Sequence, residues 1–442
     1  MGTSRGRPAS VSLDTTVPVL VLKVGRYALH HGGVGVVRSL GRAGVPVYGV
    51  YEELLAPAAT SRYLRGRFVW ENDGLGVERF LDGMATIGAR LGRQTILVPT
   101  DDLGAILVAE HAAVLDEWFK VPRQPRGLPR ALASKKGLYR LCKQLGVPCP
   151  EAVFPASRAE LEAFLERAVF PVVVKGAEGW LLPRHTGVRS TAIVDTPEEL
   201  LDIYRRVEDG SGTSVMFQEY IPRDCGEDWI FHGYCDSRSD CLAAFTGVKV
   251  RSYPPYVGPT TLGRCTANER LRRQAEMLFK ALSYRGIMDL DYRLDRRDGQ
   301  YKLLDFNPRI GAQFRLFVNE AGIDVVRALH LDLTERTVPP GPAVEGRGFV
   351  AEHYDLLAAW GYHRDGGLTL RGWLRSLRGV REPAWLAADD PAPFLVMCVR
   401  FLLRGLRRAL GRPERSRDGG RPPRYLPGPR RQSRKGHRTA GR

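Results

Sequence analysis

Three residues with oxygen-bearing side chains, Asp291, Asp305 and Asn307, have the types and the spacing that a hard cation requires. They lie on either side of an Asp-Gly turn, in segments 286–295 and 301–309. Apolar and charged residues alternate along the first segment, as in a β-strand, and Asp-Gly between two such runs indicates a hairpin. A hairpin brings the three side chains together at one end. Mg²⁺ or Mn²⁺ would take one or two carboxylates there and complete its shell with water and phosphate oxygens.

The second arm of this hairpin is expected to carry Leu303, Asp305 and Asn307 on one side. It should stop at Pro308, because proline has no N–H to donate to a sheet. Asp295 and Asp298 lie near the turn, and we interpret them as solvent-exposed charges.

Basic residues nearby in the sequence are suited to bind phosphate or carboxylate groups. Arg309 follows Asn307-Pro308 and can form two parallel hydrogen bonds with either group. Lys175 ends the apolar run 172–174, where a buried strand would not otherwise carry a charge. Lys249 and Arg251 lie on one face of a third strand and are expected to meet a terminal phosphate and a substrate carboxylate, in either order. A solvated edge strand is the alternative for these two residues.

The order acid, turn, acid-x-Asn-Pro-Arg resembles the metal-binding hairpin of the ATP-grasp superfamily. The resemblance implies that Asp291 is the first metal carboxylate, Asp305 the bridging carboxylate and Asn307 the third ligand. The family usually has Glu at both acidic positions, where this chain has the shorter Asp.

Further segments match the family in the same order along the chain. Lys135 opens a helix from Ser134 to Gly146 and corresponds to a lysine that binds nucleotide phosphate, and Lys175 corresponds to one near the α-phosphate and adenine. Segment 177–190 corresponds to the loop over the phosphates. Glu227, or its neighbour Asp228, corresponds to the acid that holds the ribose. The residues matching the strand end that binds adenine are Gln218, Glu219, Tyr220 and Ile221.

The resemblance covers about residues 17–335 and implies an α/β and α+β fold. An N-terminal open parallel sheet, the pre-ATP-grasp domain, would precede an ATP-grasp fold of two α+β subdomains. Short apolar runs at 17–22, 45–50 and 95–98 independently predict buried parallel strands. Asp102 follows the last run and is a candidate substrate contact, with a helix N-cap as the alternative.

These patterns divide the chain into five predicted parts. They are a flexible leader (1–16), the pre-ATP-grasp domain (17–122), the ATP-grasp domain (123–335), a C-terminal extension with a basic amphipathic helix (336–411) and a disordered basic tail (412–442).

Composition excludes several classes of protein. Seven Cys without a Cys-x-x-Cys pair argue against a disulfide framework and against zinc, and predict reduced thiols in the cytoplasm. No Gly-Lys dipeptide occurs, which excludes a Walker A site. The net charge of +17 is concentrated in residues 401–442, which hold 14 Lys and Arg against two acids. The global charge is therefore a poor argument for a nucleic-acid-binding enzyme.

The helix at 394–410 combines apolar and Arg residues and is too short in its apolar part to span a bilayer. It could lie on an anionic membrane surface at the inner face of the membrane, with the tail attracting this or another polyanion. Packing of the helix on the folded body is the alternative.

The resemblance implies an ATP-dependent ligase that joins a small carboxylate to an amine through an acyl phosphate, releasing ADP and phosphate. ATP and Mg²⁺ or Mn²⁺ would be its cofactors, and Arg309, Lys249 and Arg251 its catalytic residues. One alternative is an ATP-grasp enzyme with a non-amine acceptor or a phosphorylated product. Another is a non-catalytic nucleotide-binding or membrane-associated scaffold. The sequence is also compatible with a homo-oligomer.

Overall fold

The structure is a computed structural model and describes residues 11–25, 29–72, 74–178, 191–208, 215–409 and 422–429. These residues form three β-sheets with helices packed against them. An N-terminal, largely parallel sheet precedes two antiparallel sheets, which confirms the predicted fold class.

The elements of the N-terminal region are β1 (Val19–Leu22), α1 (His31–Arg42), β2 (Val47–Tyr51), β3 (Leu64–Val69), α2 (Val77–Leu91), β4 (Thr95–Pro99), α3 (Asp102–Glu110), α4 (Ala112–Leu115) and β5 (Phe119–Lys120). The five strands form a sheet in the order β3-β2-β1-β4-β5 and are all parallel to one another. Val19 and Val21 pack into one apolar cluster and Leu20 and Leu22 into another, because a parallel strand is buried on both faces. Strand order reverses between β1 and β4, and open α/β sheets bind ligands at the carboxyl ends of such strands.

A small antiparallel sheet follows, in the order β6-β9-β7-β8, and the elements of this region are α5 (Leu128–Ala133), α6 (Lys135–Leu145), β6 (Ala152–Val153), α7 (Arg158–Leu165), β7 (Val172–Gly176), β8 (Thr191–Val194), α8 (Pro197–Glu208) and β9 (Val215–Glu219). Helix α6 has the predicted ends. The Ser134 hydroxyl accepts a hydrogen bond from the Gly137 N–H at 3.3 Å, and Gly146 ends the helix with φ of 67°.

The elements of the third region are β10 (Gly226–Cys235), β11 (Cys241–Ser252), β12 (Thr260–Cys265), α9 (Glu269–Leu282), β13 (Gly286–Asp295), β14 (Gln300–Asn307), α10 (Val325–Leu333), β15 (Gly348–Val350), α11 (Glu352–Arg364), α12 (Leu370–Ser376) and β16 (Val380–Pro383). Their strands form the central sheet, in the order β14-β13-β10-β11-β12-β15-β16. This sheet is antiparallel except between β15 and β16, which are parallel. The predicted hairpin is β13–β14. Met288, Leu290 and Tyr292 are fully buried in an apolar cluster with α9, as the alternation predicts.

Two expectations for the hairpin are wrong. Asp295 is fully buried, because it accepts hydrogen bonds from Arg297 at 2.6 Å and Lys302 at 2.7 Å. Leu303 does not share a side with Asp305, because the pairing slips by one residue after Asp291 and places Leu303 opposite Tyr292. This bulge leaves Leu304 as the extra residue, so that Leu303 enters the core while Asp305 stays opposite Asp291.

Two short described segments near the ends of the chain, 11–16 and 422–429, pack on the folded body, which their composition does not indicate. Leu13, in the predicted flexible leader, is 4% exposed, and Asp14 lies 3.1 Å from Arg336. In the predicted disordered tail, β17 (Arg424–Pro427) adds antiparallel to β3 at the edge of the N-terminal sheet. Both segments gain partners that are distant in sequence, which local composition does not report.

Helix α13 (Ala392–Ala409) is the predicted basic amphipathic helix. Met397 is buried, and Phe394 and Phe401 pack beside it on the body, so packing on the folded domain is observed. Just before the helix, Asp390 pairs with Arg38 of α1 at 2.9 Å, and both side chains are almost completely buried. Among the described helices, none is both long enough and apolar enough to cross a bilayer.

Candidate active site

Strand register places the predicted metal ligands on one face of the central sheet. Asp291 lies directly opposite Asp305, and Asn307 lies opposite Asp289. On the next strand, β10, His232 is the partner of Asp289. Residues directly opposite each other in an antiparallel pair share a face, so this face carries three carboxylates and an amide.

Three lysines from three different parts of the fold meet these carboxylates. Lys135, at the first position of α6, forms an ion pair with Asp305. Lys249 of β11 lies 2.9 Å from Asp291. Lys175 of β7 is 7% exposed, and its charge acts on Asp305 together with that of Lys135. The site is therefore a dense cluster of alternating charges between the small sheet and the central sheet.

Burial and neighbouring charge compete at each titratable group. Burial opposes ionisation of Asp305, but Lys135 and Lys175 outweigh it and lower the pKa of Asp305 to about 2. Burial raises the pKa of Asp291, an effect that Lys249 only partly offsets. Burial also lowers the pKa of Lys175. Asp305 is thus ionised throughout the neutral range and is available as a metal ligand.

The donor set of this face fits a hard cation. Oδ1 of Asp291 lies 2.9 Å from Nζ of Lys249, and Oδ1 of Asp289 lies 2.9 Å from Nε2 of His232, so both buried oxygens face nitrogen groups. Within the described ranges, no three His, Cys, Asp or Glu side chains are grouped closely enough to hold a metal by themselves. Two carboxylates and an amide suit Mg²⁺, which takes most of its ligands from water and phosphate.

A second charged network connects the hairpin to the N-terminal sheet. Arg309 lies 3.0 Å from Asp102 and 3.1 Å from Asp289, and Asp289 lies 2.9 Å from His232. Burial opposes ionisation of Asp289, but His232 and Arg309 outweigh it and lower its pKa. Asp102 begins α3 at the carboxyl end of β4, the position where open sheets bind ligands. The helix N-cap is Asp101, which accepts a hydrogen bond from Gly104.

Gly311 allows this network to form. A Cβ atom at position 311 would lie 2.1 Å from Cε1 of His232 and 2.6 Å from Cγ of Asp289. Any residue other than glycine at position 311 would therefore displace the side chains of His232 and Asp289. The segment after the hairpin is therefore fitted closely to the His232–Asp289 pair.

The predicted adenine segment lies at the end of β9 beside Lys175. Gln218 is 6% exposed, and strand register puts it on the same face of the small sheet as Lys175. Ile221 is 3% exposed, and Glu219 forms an ion pair with Arg297 at 2.6 Å. Tyr220 follows β9 directly and is half-buried. Segment 179–190, most of the predicted phosphate loop, lies outside the described residues.

Two predicted site residues lie away from the lysine–aspartate cluster. Arg251 is 3% exposed and forms two hydrogen bonds with Asp355, at 2.9 and 2.8 Å, so its guanidinium is already committed. Glu227 lies 3.4 Å from Arg296 and is on the opposite sheet face from its neighbour Asp228. Asp228 lies on the same sheet face as Asp291 and pairs with Arg293 at 2.6 Å.

Sequence reasoning missed Asp289 and His232 as members of the site. The two-residue period that selected Asp291 also places Asp289 on the same face, and that signal was available. His232 carries no such signal, because only the pairing of β10 with β13 brings it beside Asp289.

Comparison with known proteins agrees with this architecture. No protein-family model matches the chain. It is 25% identical over 325 residues to D-aspartate ligase from Enterococcus faecium, covering 70% of this chain and 75% of that protein. Two of the solved structures that resemble this chain have sequence identities to it below 25%, so they show a shared fold and nothing further.

The L-amino acid ligase from Bacillus licheniformis superimposes with a TM-score of 0.56 at 16% identity, covering 73% of this chain and 77% of that one. The biotin carboxylase domain of Hydrogenobacter thermophilus 2-oxoglutarate carboxylase gives 0.54 at 14% identity, over 73% and 71% respectively. That structure contains the magnesium salt of ADP and bicarbonate.

Proposed function

Because this chain belongs to the ATP-grasp superfamily and is a distant homologue of D-aspartate ligase, we propose that it is an ATP-dependent carboxylate–amine ligase. It would phosphorylate a carboxylate with ATP and transfer the acyl group to an amine, releasing ADP and phosphate.

The observation that carries the proposal is the cluster of Lys135, Lys175 and Lys249 against Asp291 and Asp305. Drawing charges partly out of water costs free energy, and apolar residues often stabilise a fold equally well at such positions, so folding alone does not account for these five side chains. They are instead the groups that a triphosphate with a divalent cation requires.

Each group has a place in this chemistry. Asp291, Asp305 and Asn307 would hold Mg²⁺, which shields the negative charge of the phosphates when it is bound. The three lysines bind phosphate oxygens, for which Lys135 and Lys249 exchange their present partners Asp305 and Asp291. Positioning and neutralisation of charge then do the catalytic work, and no covalent nucleophile of the protein is needed.

The second substrate is proposed to bind where β1 and β4 end. Arg309 pairs with Asp102 at this edge and with Asp289 beside the lysine–aspartate cluster. It can therefore orient a carboxylate towards the terminal phosphate of ATP. The D-aspartate ligase homologue suggests amino acids as the first substrates to test, for the carboxylate and for the amine.

The experiment is phosphate and ADP release by the full-length protein with Mg·ATP and a panel of D- and L-amino acids, with mass analysis of products. Release that depends on two substrates and yields an amide supports the proposal. A phosphorylated product or a thioester identifies another ATP-grasp outcome. ATP binding without turnover across the panel would favour the scaffold alternative.

Lys135→Met is expected to weaken binding of a non-hydrolysable ATP analogue by about 10–100-fold, because one charge-assisted contact to phosphate is lost. Lys136→Met is the matched control, since Lys136 is the next residue of α6 and forms no ion pair within the described chain. Calorimetry measures both affinities. Equal affinities in the two variants would remove Lys135 from the site.

A further inference from the structure

Helix α13 has a second apolar face that the folded body does not cover. Leu395, Val399, Leu402 and Leu406 follow helical spacing, and each is 57–66% exposed. The opposite face, with Met397, Phe394 and Phe401, is packed on the body. The helix therefore presents a continuous apolar stripe to solvent, in addition to the apolar face that packs on the body.

Two other helices of the C-terminal region, α11 and α12, also carry exposed apolar side chains. Leu356 and Trp360 of α11 are 59% and 65% exposed, and Leu370 and Leu374 of α12 are 68% and 55% exposed. Phe401 contacts the His353 ring of α11, with centroids 5.5 Å apart, so α11 and α13 adjoin. We call these eight exposed side chains on α11, α12 and α13 the C-terminal apolar surface.

More than half of the large apolar side chains that are exposed in the described residues lie between positions 356 and 406. Isolated exposed leucines need no explanation, but a cluster of this kind marks an interaction surface.

The charges around the C-terminal apolar surface are strongly one-sided. Four of its acids pair with arginines of the protein, Asp355 with Arg251, Glu382 with Arg347, Asp389 with Arg42 and Asp390 with Arg38, whereas Asp365 is exposed beside Arg364. The exposed arginines form no ion pair within the described part of the chain, and they are Arg364, Arg371, Arg375, Arg378, Arg381 and Arg407. Among the described residues, this region therefore presents more arginine side chains than carboxylates to the outside.

The sequence beyond α13 adds to this charge. Residues 430–442 contain six Lys and Arg and no acid, and the segment begins just after β17. A second copy of the chain would bring two positive surfaces together, which is unfavourable. An anionic lipid surface satisfies both features at once, because it accepts apolar side chains and attracts arginine.

We propose that the C-terminal apolar surface docks the protein on an anionic membrane, with the stripe of α13 inserted at the boundary between headgroups and acyl chains. The surrounding arginines lie among the lipid phosphates. None of these residues belongs to the lysine–aspartate cluster, so membrane binding and ATP chemistry are separable.

The test is sedimentation of the full-length protein with vesicles of phosphatidylcholine alone or with about one-third phosphatidylglycerol. We expect binding to the anionic vesicles at low salt and weaker binding at high salt. The triple variant Leu395→Gln/Leu402→Gln/Leu406→Gln should bind at least ~10-fold more weakly, because its apolar face is removed. Met277→Gln, in which a 66% exposed side chain of α9 is changed, is the matched control and should bind like the parent protein.

ATP binding and the melting temperature report on the folding of each variant, and both are expected to be unchanged. No sedimentation of the parent protein with anionic vesicles would overturn the proposal. Equal binding of the triple variant would also overturn it, and would show attraction of a polyanion by the basic tail alone. A concentration-dependent dimer that the triple variant loses, without vesicle binding, would assign the surface to a second copy.

Discussion

Asp305→Asn is expected to lower ATP-dependent phosphate release by at least ~100-fold, because the bridging carboxylate of the proposed metal site becomes a neutral amide. The amide has the same shape, so the hairpin should keep its fold. Asp305 is suited to the role because Lys135 and Lys175 outweigh its burial and keep its pKa near 2. Asp305→Glu, which restores the residue usual in the family, is expected to retain measurable activity.

Asp298→Asn provides the control for this variant. Asp298 lies on the same hairpin and pairs with Lys302 at 3.2 Å, but it is close to the turn and 39% exposed. The rate of ATP-dependent phosphate release by Asp298→Asn should stay within about twofold of that of the parent protein, because most surface substitutions have small effects. Wild-type turnover by a folded Asp305→Asn protein would show that the metal site lies elsewhere.

Arg251→Met is expected to lower the free energy of unfolding by about 3–5 kcal/mol, because it leaves the buried Asp355 carboxylate without its cation. Both side chains are at most 3% exposed, and Asp355 also accepts hydrogen bonds from Thr261 and Trp373 at 3.0 Å. The melting temperature should fall by several degrees. Below that temperature the turnover number should be close to that of the parent protein.

A second substitution distinguishes a structural from a catalytic role for Arg251. Arg251→Met/Asp355→Leu removes both charges and should recover much of the lost stability, since a buried pair can often be replaced by apolar residues. Arg381→Met, at an exposed position, is the control and should change stability by less than ~0.5 kcal/mol. Loss of activity without loss of stability in Arg251→Met would restore its interpretation as a catalytic residue.

The sequence by itself determined those features that short-range rules control. Alternation of apolar and charged residues determined the faces of β13, and the Asp-Gly turn joined it to β14. Ser134 and Gly146 determined the ends of α6 through hydrogen bonding and a positive φ. The order of lysines and carboxylates along the chain resembles that of the ATP-grasp superfamily, and this resemblance implied the fold class.

Only the tertiary structure decided which charges face one another. The bulge beside Leu303 depends on packing against α9, and it decides that Leu303 and Asp305 separate. Arg251 differs little in local sequence from Lys249, yet its partner Asp355 is 104 residues away and removes it from the cluster. Two side chains that meet only through sheet register or helix packing leave no periodic signal in the chain. The role of a buried charge was therefore set by its distant partner.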